Sequence, residues 1–166
     1  MIKEFTQQLS RGDNLTIEQM TSVMNEILGG TQNDQDVAEF LKNLTQKGES
    51  DDELFAMLNK MEEYSLHISP NCNGKIIDVC GTGGDKLKTF NISTAASFVI
   101  AGAGGNVAKH GNRSISGVSG SADIFEYFGF DLNSEPNKVN ETIEKFGIGF
   151  MFAQKFHPAM KNVANA

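Results

Sequence analysis

The stretch KIIDVCGTGGDKLKTFNISTAASFVIAGAGGNVAKHGNRSISGVSGSAD, from Lys75 to Asp123, decides how the rest of the chain is read. It opens on a short apolar run, Ile76, Ile77, Val79 and Cys80, with the length and β-branched character of a buried strand. Gly81, Thr82, Gly83, Gly84 and Asp85 break that strand with a loop. Glycines there leave backbone N–H groups uncovered, so the loop is able to wrap an anion. NIST, Asn91 to Thr94, leads into the Ala-rich run Ala95 to Ala101 and reads as a helix N-terminus. Free N–H groups and the helix dipole favour a phosphate at such a point. A second cycle follows, with strand-like Asn106 to Lys109, a polar loop from His110 to Ser119, and a helix opening at Ser121. Two strand–loop–helix units in succession predict two polar loops on one edge of a parallel sheet, the edge where open α/β sheets bind ligands.

The local charge agrees with that reading. Between Lys75 and Arg113, five basic residues (Lys75, Lys86, Lys88, Lys109 and Arg113) stand against Asp78 and Asp85, although the whole chain of 166 residues carries a net charge of −7. A basic island in an acidic protein predicts a polyanionic small molecule, phosphorylated and accompanied by a divalent metal. A sequence pI near 4.9 argues against general nucleic-acid binding, which needs Lys and Arg on phosphates.

Working outward, residues 1–66 hold 13 acidic against 5 basic side chains, and the remainder holds 8 against 9. That asymmetry predicts two parts, a helical domain over 1–66 and the α/β part over 74–166. Ile2 to Arg11 reads as a helix stopped by Gly12. Thr16 with Gln19 is a capping-box pattern, followed by Ile17, Met20, Met24 and Ile27 at helical spacing. Val37, Phe40, Leu41 and Leu44 line a third helix, and Ser50 with Glu53 opens a fourth on Leu54, Leu58 and Met61. These apolar stripes read as the core of a small bundle, or as a helix–helix dimer surface. Ile68 to Asn73, with Pro70, is the hinge. Beyond Asp123, the pattern predicts a helix through Phe128, another over Pro136 to Phe146 with Val139, Ile143 and Phe146 on one face, a strand over Ile148 to Phe152, and a helix beginning at Ala159. The fold class is α/β, a small helical bundle followed by an incomplete domain with a mostly parallel sheet. Cys72 and Cys80 are too few for a disulfide framework and lack two zinc ligands, so both read as reduced and the protein as cytoplasmic. No apolar run approaches the roughly 20 residues of a membrane span.

Individual residues carry two readings each. Gly81, Gly83 and Gly84 suit a tight turn as well as an anion loop, and they match neither a dinucleotide fingerprint nor a nucleotide P-loop. Asn91, Ser93 and Thr94 suit helix capping, whose geometry is also that of phosphate binding. Lys109 ends an apolar strand, where an amine must reach solvent or pair with an anion, and a phosphate is the favoured partner. His110 and Asn112 follow it with no partner visible, Arg113 suits a surface charge or an ion pair, and Ser119 and Ser121 flank Gly120 at a helix start.

GTGGD, NIST and KHGNRSISGVSGSAD, in this order and spacing, closely resemble the signature of the anthranilate phosphoribosyltransferase family, and HPAMK at His157 to Lys161 matches it too. The resemblance covers nearly the whole chain. It implies transfer of phosphoribosyl from 5-phosphoribosyl 1-diphosphate to the amine of anthranilate, with Mg²⁺ and a homodimer formed through the helical domain. The substrate residues it implies are Gly81, Gly84, Asp85, Thr89, Asn91, Ile92, Ser93, Thr94, Lys109, His110, Gly111, Asn112, Arg113, Ser114, Ile115, Ser116, Gly117, Ser121 and His157. Within that set, Ser93 is implied as an Mg²⁺ ligand, Asp85 as an organiser of the diphosphate loop, and Asn112 as an anthranilate contact. His110 and His157 are implied near the aromatic acceptor, and Ser121 on the phosphoribosyl diphosphate. No covalent nucleophile is assigned.

Members of that family are longer than this chain. Their second half carries an Arg for the anthranilate carboxylate, an adjacent Asp–Glu pair for Mg²⁺ and the remaining strands. The expectation is therefore an N-terminal portion that lacks turnover alone. A pyrimidine nucleoside phosphorylase, a related phosphoribosyltransferase with another acceptor, and a non-catalytic phosphometabolite-binding or dimerisation module remain as alternatives.

Overall fold

The structure is a computed structural model that describes residues 1–81, 90–114 and 119–166. The chain divides into two compact units, Met1–Ser65 together with His157–Ala166, and Leu66–Phe156. The first contains helices α1 (Ile2–Ser10), α2 (Ile17–Leu28), α3 (Asp34–Lys47) and α4 (Asp51–Glu63). Both capping boxes are formed: Gln19 N–H donates to Thr16 Oγ1 at 3.2 Å, and Glu53 N–H to Ser50 Oγ at 3.3 Å, each side chain at the third position reaching back in return. Each satisfies N–H groups that a helix start leaves without intrahelical partners.

The core of this unit is Ile2, Phe5 and Leu9 of α1, Met20, Val23, Met24 and Ile27 of α2, and Val37, Phe40 and Leu44 of α3. Two expectations change here. Ile17 is exposed, and so are Leu54, Phe55 and Leu58 of α4, at 51%, 56% and 65%. The face that α4 turns inward carries Ala56 and Glu53 instead. Helical spacing marks an apolar face without saying what covers it. Glu53 is fully buried, and its carboxylate accepts from Leu15 N–H at 2.8 Å, Ser50 N–H at 2.7 Å and Lys47 Nζ at 2.7 Å.

Residues 157–166, which the sequence reading grouped with the α/β part, pack on these helices. They form a short 3-10 helix, Pro158–Asn162, where an α-helix from Ala159 was expected. Ala159 and Val163 join the helical core, and Asn162 Nδ2 donates to Leu28 O at 2.8 Å.

The second unit holds β1 (Ile76–Ile77), α5 (Ile92–Gly102), β2 (Asn106–Gly111), α6 (Ser121–Tyr127), α7 (Pro136–Phe146), β3 (Ile148–Phe152) and the short α8 (Ala153–Phe156). The strands form a parallel sheet in the order β1-β2-β3, with Ile77 opposite Val107 and Lys109 opposite Phe150. The predicted first strand is shorter than its apolar run, since only Ile76 and Ile77 pair and both are exposed. On one face Val107, Ile148, Phe150 and Phe152 meet Ala122 and Phe125, whose ring stacks on Phe150 at 4.4 Å. On the other, Ala108 meets Val139 and Ile143 of α7, and Phe156. Phe146, predicted on that buried face, is 60% exposed. Gly147 ends α7 in the left-handed conformation, φ 74°, which lets β3 begin at once. No helix among the described residues is long and apolar enough to cross a membrane.

Candidate functional site

Because all three strands run parallel, their C-terminal ends lie on one edge, and the segments that follow β1 and β2 are the two polar loops predicted from sequence. Several described contacts tie that edge together. Asp78, just past β1, accepts the His110 N–H at 3.2 Å, with His110 Nδ1 4.0 Å from its other oxygen. Asn91 precedes α5 but gives its first turn no side-chain cap; Nδ2 donates instead to Ser119 O at 3.1 Å. The start of α5 is thus joined to the loop after β2, while the Asn91 carbonyl accepts the Ala95 N–H at 3.0 Å and its side chain caps none of the first-turn N–H groups.

Ser93 sits in that first turn, half-buried, with its Oγ 3.9 Å from where a Cβ on Gly81 would stand. Thr94 is 1% exposed, and its Oγ1 has no hydrogen-bond partner among the described residues. Leaving a buried hydroxyl unmatched is costly, and sites that keep one invite a ligand or water.

Lys109 is the most informative residue. Strand alternation points it to the same face as Val107, and it is only 2% exposed. Its Nζ donates to His110 O at 2.7 Å. Burial pushes the amine below the ordinary lysine range, an effect that the nearby Asp78 carboxylate opposes only in part. A cation held out of water beside a carbonyl is poised for an anion.

Gly111 ends β2 where nothing larger fits. A Cβ there would collide with Ser121 Oγ and lie 2.9 Å from Phe150 Cε2. Ser121 Oγ in turn points to Asn112 O at 3.5 Å, a long contact, while Ala122 N–H reaches the same carbonyl at 3.2 Å. We expect Gly111→Ala to cost about 1–3 kcal/mol, the usual scale of overpacking, readable as a lower midpoint in urea unfolding. An unchanged midpoint would mean that α6 shifts freely.

Arg113 does not face outward alone. Asp123 and Glu126 of α6 take its guanidinium at 2.7–2.9 Å. Glu126 first and Asp123 second raise the arginine further above its ordinary value. Asp123 is held below the usual carboxylate range by the Gly120 N–H first and Arg113 second, and Glu126 by Arg113.

The described structure therefore brings Gly81, Asn91, Ile92, Ser93, Thr94, Lys109, His110, Gly111, Asn112, Arg113, Ser114 and Ser121 to one sheet edge. Gly84, Asp85, Thr89, Ile115, Ser116 and Gly117 lie outside the described residues. His157 is placed in the helical unit, among Leu28, Met61, Tyr64, Ala159 and Met160. Sequence reasoning missed Asp78 as the partner of His110, and Asp123 and Glu126 as the partners of Arg113. Of these only Asp123 left a local signal, an acid three residues after Gly120 at a helix start.

For Mg²⁺, no group of three or more His, Cys, Asp or Glu among the described residues forms a metal site. The described donor that suits it is the Ser93 hydroxyl, a hard oxygen beside a side-chain-free Gly81.

Comparison with known proteins divides the chain at the same first boundary, but keeps residues 157–166 with the α/β part. Residues 3–65 match the glycosyl transferase family, helical bundle domain, and residues 73–166 match the glycosyl transferase family, a/b domain. The anthranilate phosphoribosyltransferase of Nitrosopumilus maritimus is 63% identical over 166 residues, covering all of this chain and 48% of that protein. That of Cenarchaeum symbiosum is 47% identical over 160 residues, covering 96% and 46%. The crystal structure of anthranilate phosphoribosyltransferase from Thermus thermophilus superposes with a TM-score of 0.83 at 39% identity, covering 96% of this chain and 48% of that one. The Saccharomyces cerevisiae enzyme, solved in complex with PRPP and Mg, shares the fold at a TM-score of 0.79 and 24% identity, covering 98% and 49%. The chain spans about half the length of the curated relatives it matches.

Proposed function

Because the chain belongs to the glycosyl transferase family whose helical-bundle and a/b domains it matches in succession, we propose that it carries the 5-phosphoribosyl 1-diphosphate-binding part of an anthranilate phosphoribosyltransferase. The observation that carries this reading is Lys109, a buried amine at the sheet edge shared with the start of α5. The substrate residues proposed are those implied by the resemblance, apart from Arg113, whose guanidinium is taken by Asp123 and Glu126. Lys109 neutralises phosphate charge, Ser93, Thr94 and the first-turn N–H groups of α5 receive phosphate oxygens, and Asn112 faces the acceptor. Arg113 acts through the segment that it braces.

The reaction breaks the bond from C1 to the diphosphate oxygen, whose electron pair leaves with diphosphate, and forms a bond from C1 to the amine nitrogen, which then loses a proton. Positive charge grows at the ribose ring while negative charge grows on the leaving group. The chain's contribution is positioning and fixed electrostatics, aimed at the departing diphosphate. Mg²⁺, with Ser93 as one ligand, would supply further charge neutralisation there.

The same proposal includes a homodimer through the helical unit, for which exposed Leu54, Phe55 and Leu58 offer apolar surface, and a cytoplasmic setting. Calorimetric titration with 5-phosphoribosyl 1-diphosphate and Mg²⁺ tests the binding. Saturable heat, absent with ribose 5-phosphate at the same concentration, is expected. No heat with either compound would overturn the reading.

A further inference from the structure

Arg113 has the sequence context of an anion ligand, but its fork is already engaged. Nη1 donates to Asp123 Oδ1 at 2.7 Å and Glu126 Oε2 at 2.9 Å, while Nη2 donates to Glu126 Oε1 at 2.8 Å. The two acids are three residues apart on α6, hence on one helix face, and a planar guanidinium spans both. One positive charge between two negative ones presents no net attraction to a diphosphate.

The acids do more than neutralise. Asp123 Oδ2 accepts the Gly120 N–H at 2.7 Å, and the same carboxylate receives the Ser114 N–H. One side chain of α6 therefore holds both the residues leaving β2 and the residue entering α6. Gly120 shows how close these two strands of backbone come. A Cβ on it would collide with Ser114 N and lie 2.5 Å from Arg113 C and Asn112 O.

We infer that Arg113 is a positioning residue, which with Asp123 and Glu126 forms a clasp fixing the exit of β2 against the start of α6. The clasp sets where Asn112 and Ser121 stand, and its bearing on ligand affinity rests on the function proposed above. Small residues at 111 and 120 permit the approach, and the guanidinium locks it.

The sign of one substitution separates the clasp from a ligand arginine. Glu126→Gln removes a competing carboxylate, so an arginine that binds diphosphate directly would bind more tightly. A clasp would instead loosen. We expect Glu126→Gln to speed amide exchange at Gly120 about threefold to fivefold and to weaken 5-phosphoribosyl 1-diphosphate binding by a similar factor, the scale of a solvent-facing bidentate pair. Arg113→Gln should do more, and Arg113→Lys should recover part of the loss. Unchanged protection in α1–α4 would mark the effect as local. Tighter binding in Glu126→Gln, or exchange at Gly120 indifferent to all three variants, would overturn the clasp. If the wild-type chain bound no diphosphate, the proposed function would fail, while exchange at Gly120 would still decide for or against the clasp.

Discussion

Lys109→Met is expected to lower affinity for 5-phosphoribosyl 1-diphosphate by about 100-fold while leaving the chain as stable as wild type or more so. The side chain is 2% exposed and its amine rests on a peptide carbonyl. Losing a charge-assisted contact from a desolvated phosphate site costs about 2–3 kcal/mol. Stability moves the other way, because the amine is a cation that folding removes from water. Its folded pKa lies below the unfolded value of 10.5, so the folded state binds fewer protons between the two. The penalty is present at neutral pH and relieved as pH rises through the folded value towards 10.5. Methionine has similar length and no charge, and such replacements are commonly neutral or stabilising. Titration calorimetry and urea unfolding on the same preparation check both halves. Parallel loss of binding and stability would show that Lys109 serves the fold rather than the ligand.

Glu53→Ala is expected to be the most damaging change in the helical unit, at about 3–5 kcal/mol. Its carboxylate is fully buried and satisfies two backbone N–H groups, while Lys47, whose side chain is 5% exposed, supplies the counter-charge. Truncation leaves the Leu15 and Ser50 N–H groups without their acceptor and the buried Lys47 amine without its counter-charge, with only Asn14 Oδ1 and Gly48 O to receive it. Burial alone would raise this carboxyl. The Leu15 N–H, Lys47, and Ser50 together outweigh it and hold the group below 4.5. A depressed acid contributes stability above its unfolded pKa and loses it as pH falls through the folded one. Acid should therefore loosen the helical unit below about pH 4.5, and Glu53→Gln should flatten that dependence. Helical circular dichroism against pH distinguishes them, and an equally steep acid transition in Glu53→Gln would count against this origin.

These two residues also show what could be read in advance. Lys109 was legible because an amine at the end of a Val-Ala run is a local contradiction with few resolutions. Glu53 was legible as a helix cap through its three-residue spacing from Ser50, but its bond to Leu15 crosses 38 residues and left no trace. The strands, the glycine stops and most helix starts were likewise local. Burial of one α4 face over another was not, since Leu54 and Leu58 satisfy the same periodicity whether a core or a partner covers them. At the sheet edge, the residue types were visible while their pairing was not. Arg113 finds Asp123 and Glu126 only once the chain has turned back between them.

The helical unit is not continuous in sequence. Its four helices are synthesised first, yet Ala159, Asn162 and Val163, which complete its core and meet Leu28, come after the entire α/β segment. The segment Leu66–Phe156 is thus inserted between the four helices and the residues that finish packing on them. A folded insert brings its own ends under control and spares most of the loop-closure entropy that a flexible segment of that length would impose. Residues 157–166 thus add to the helical core only after the intervening segment has been made. Without them the Leu28 end of α2 loses the Asn162 contact and the cover of Ala159 and Val163, and becomes the place where a protease would enter the bundle.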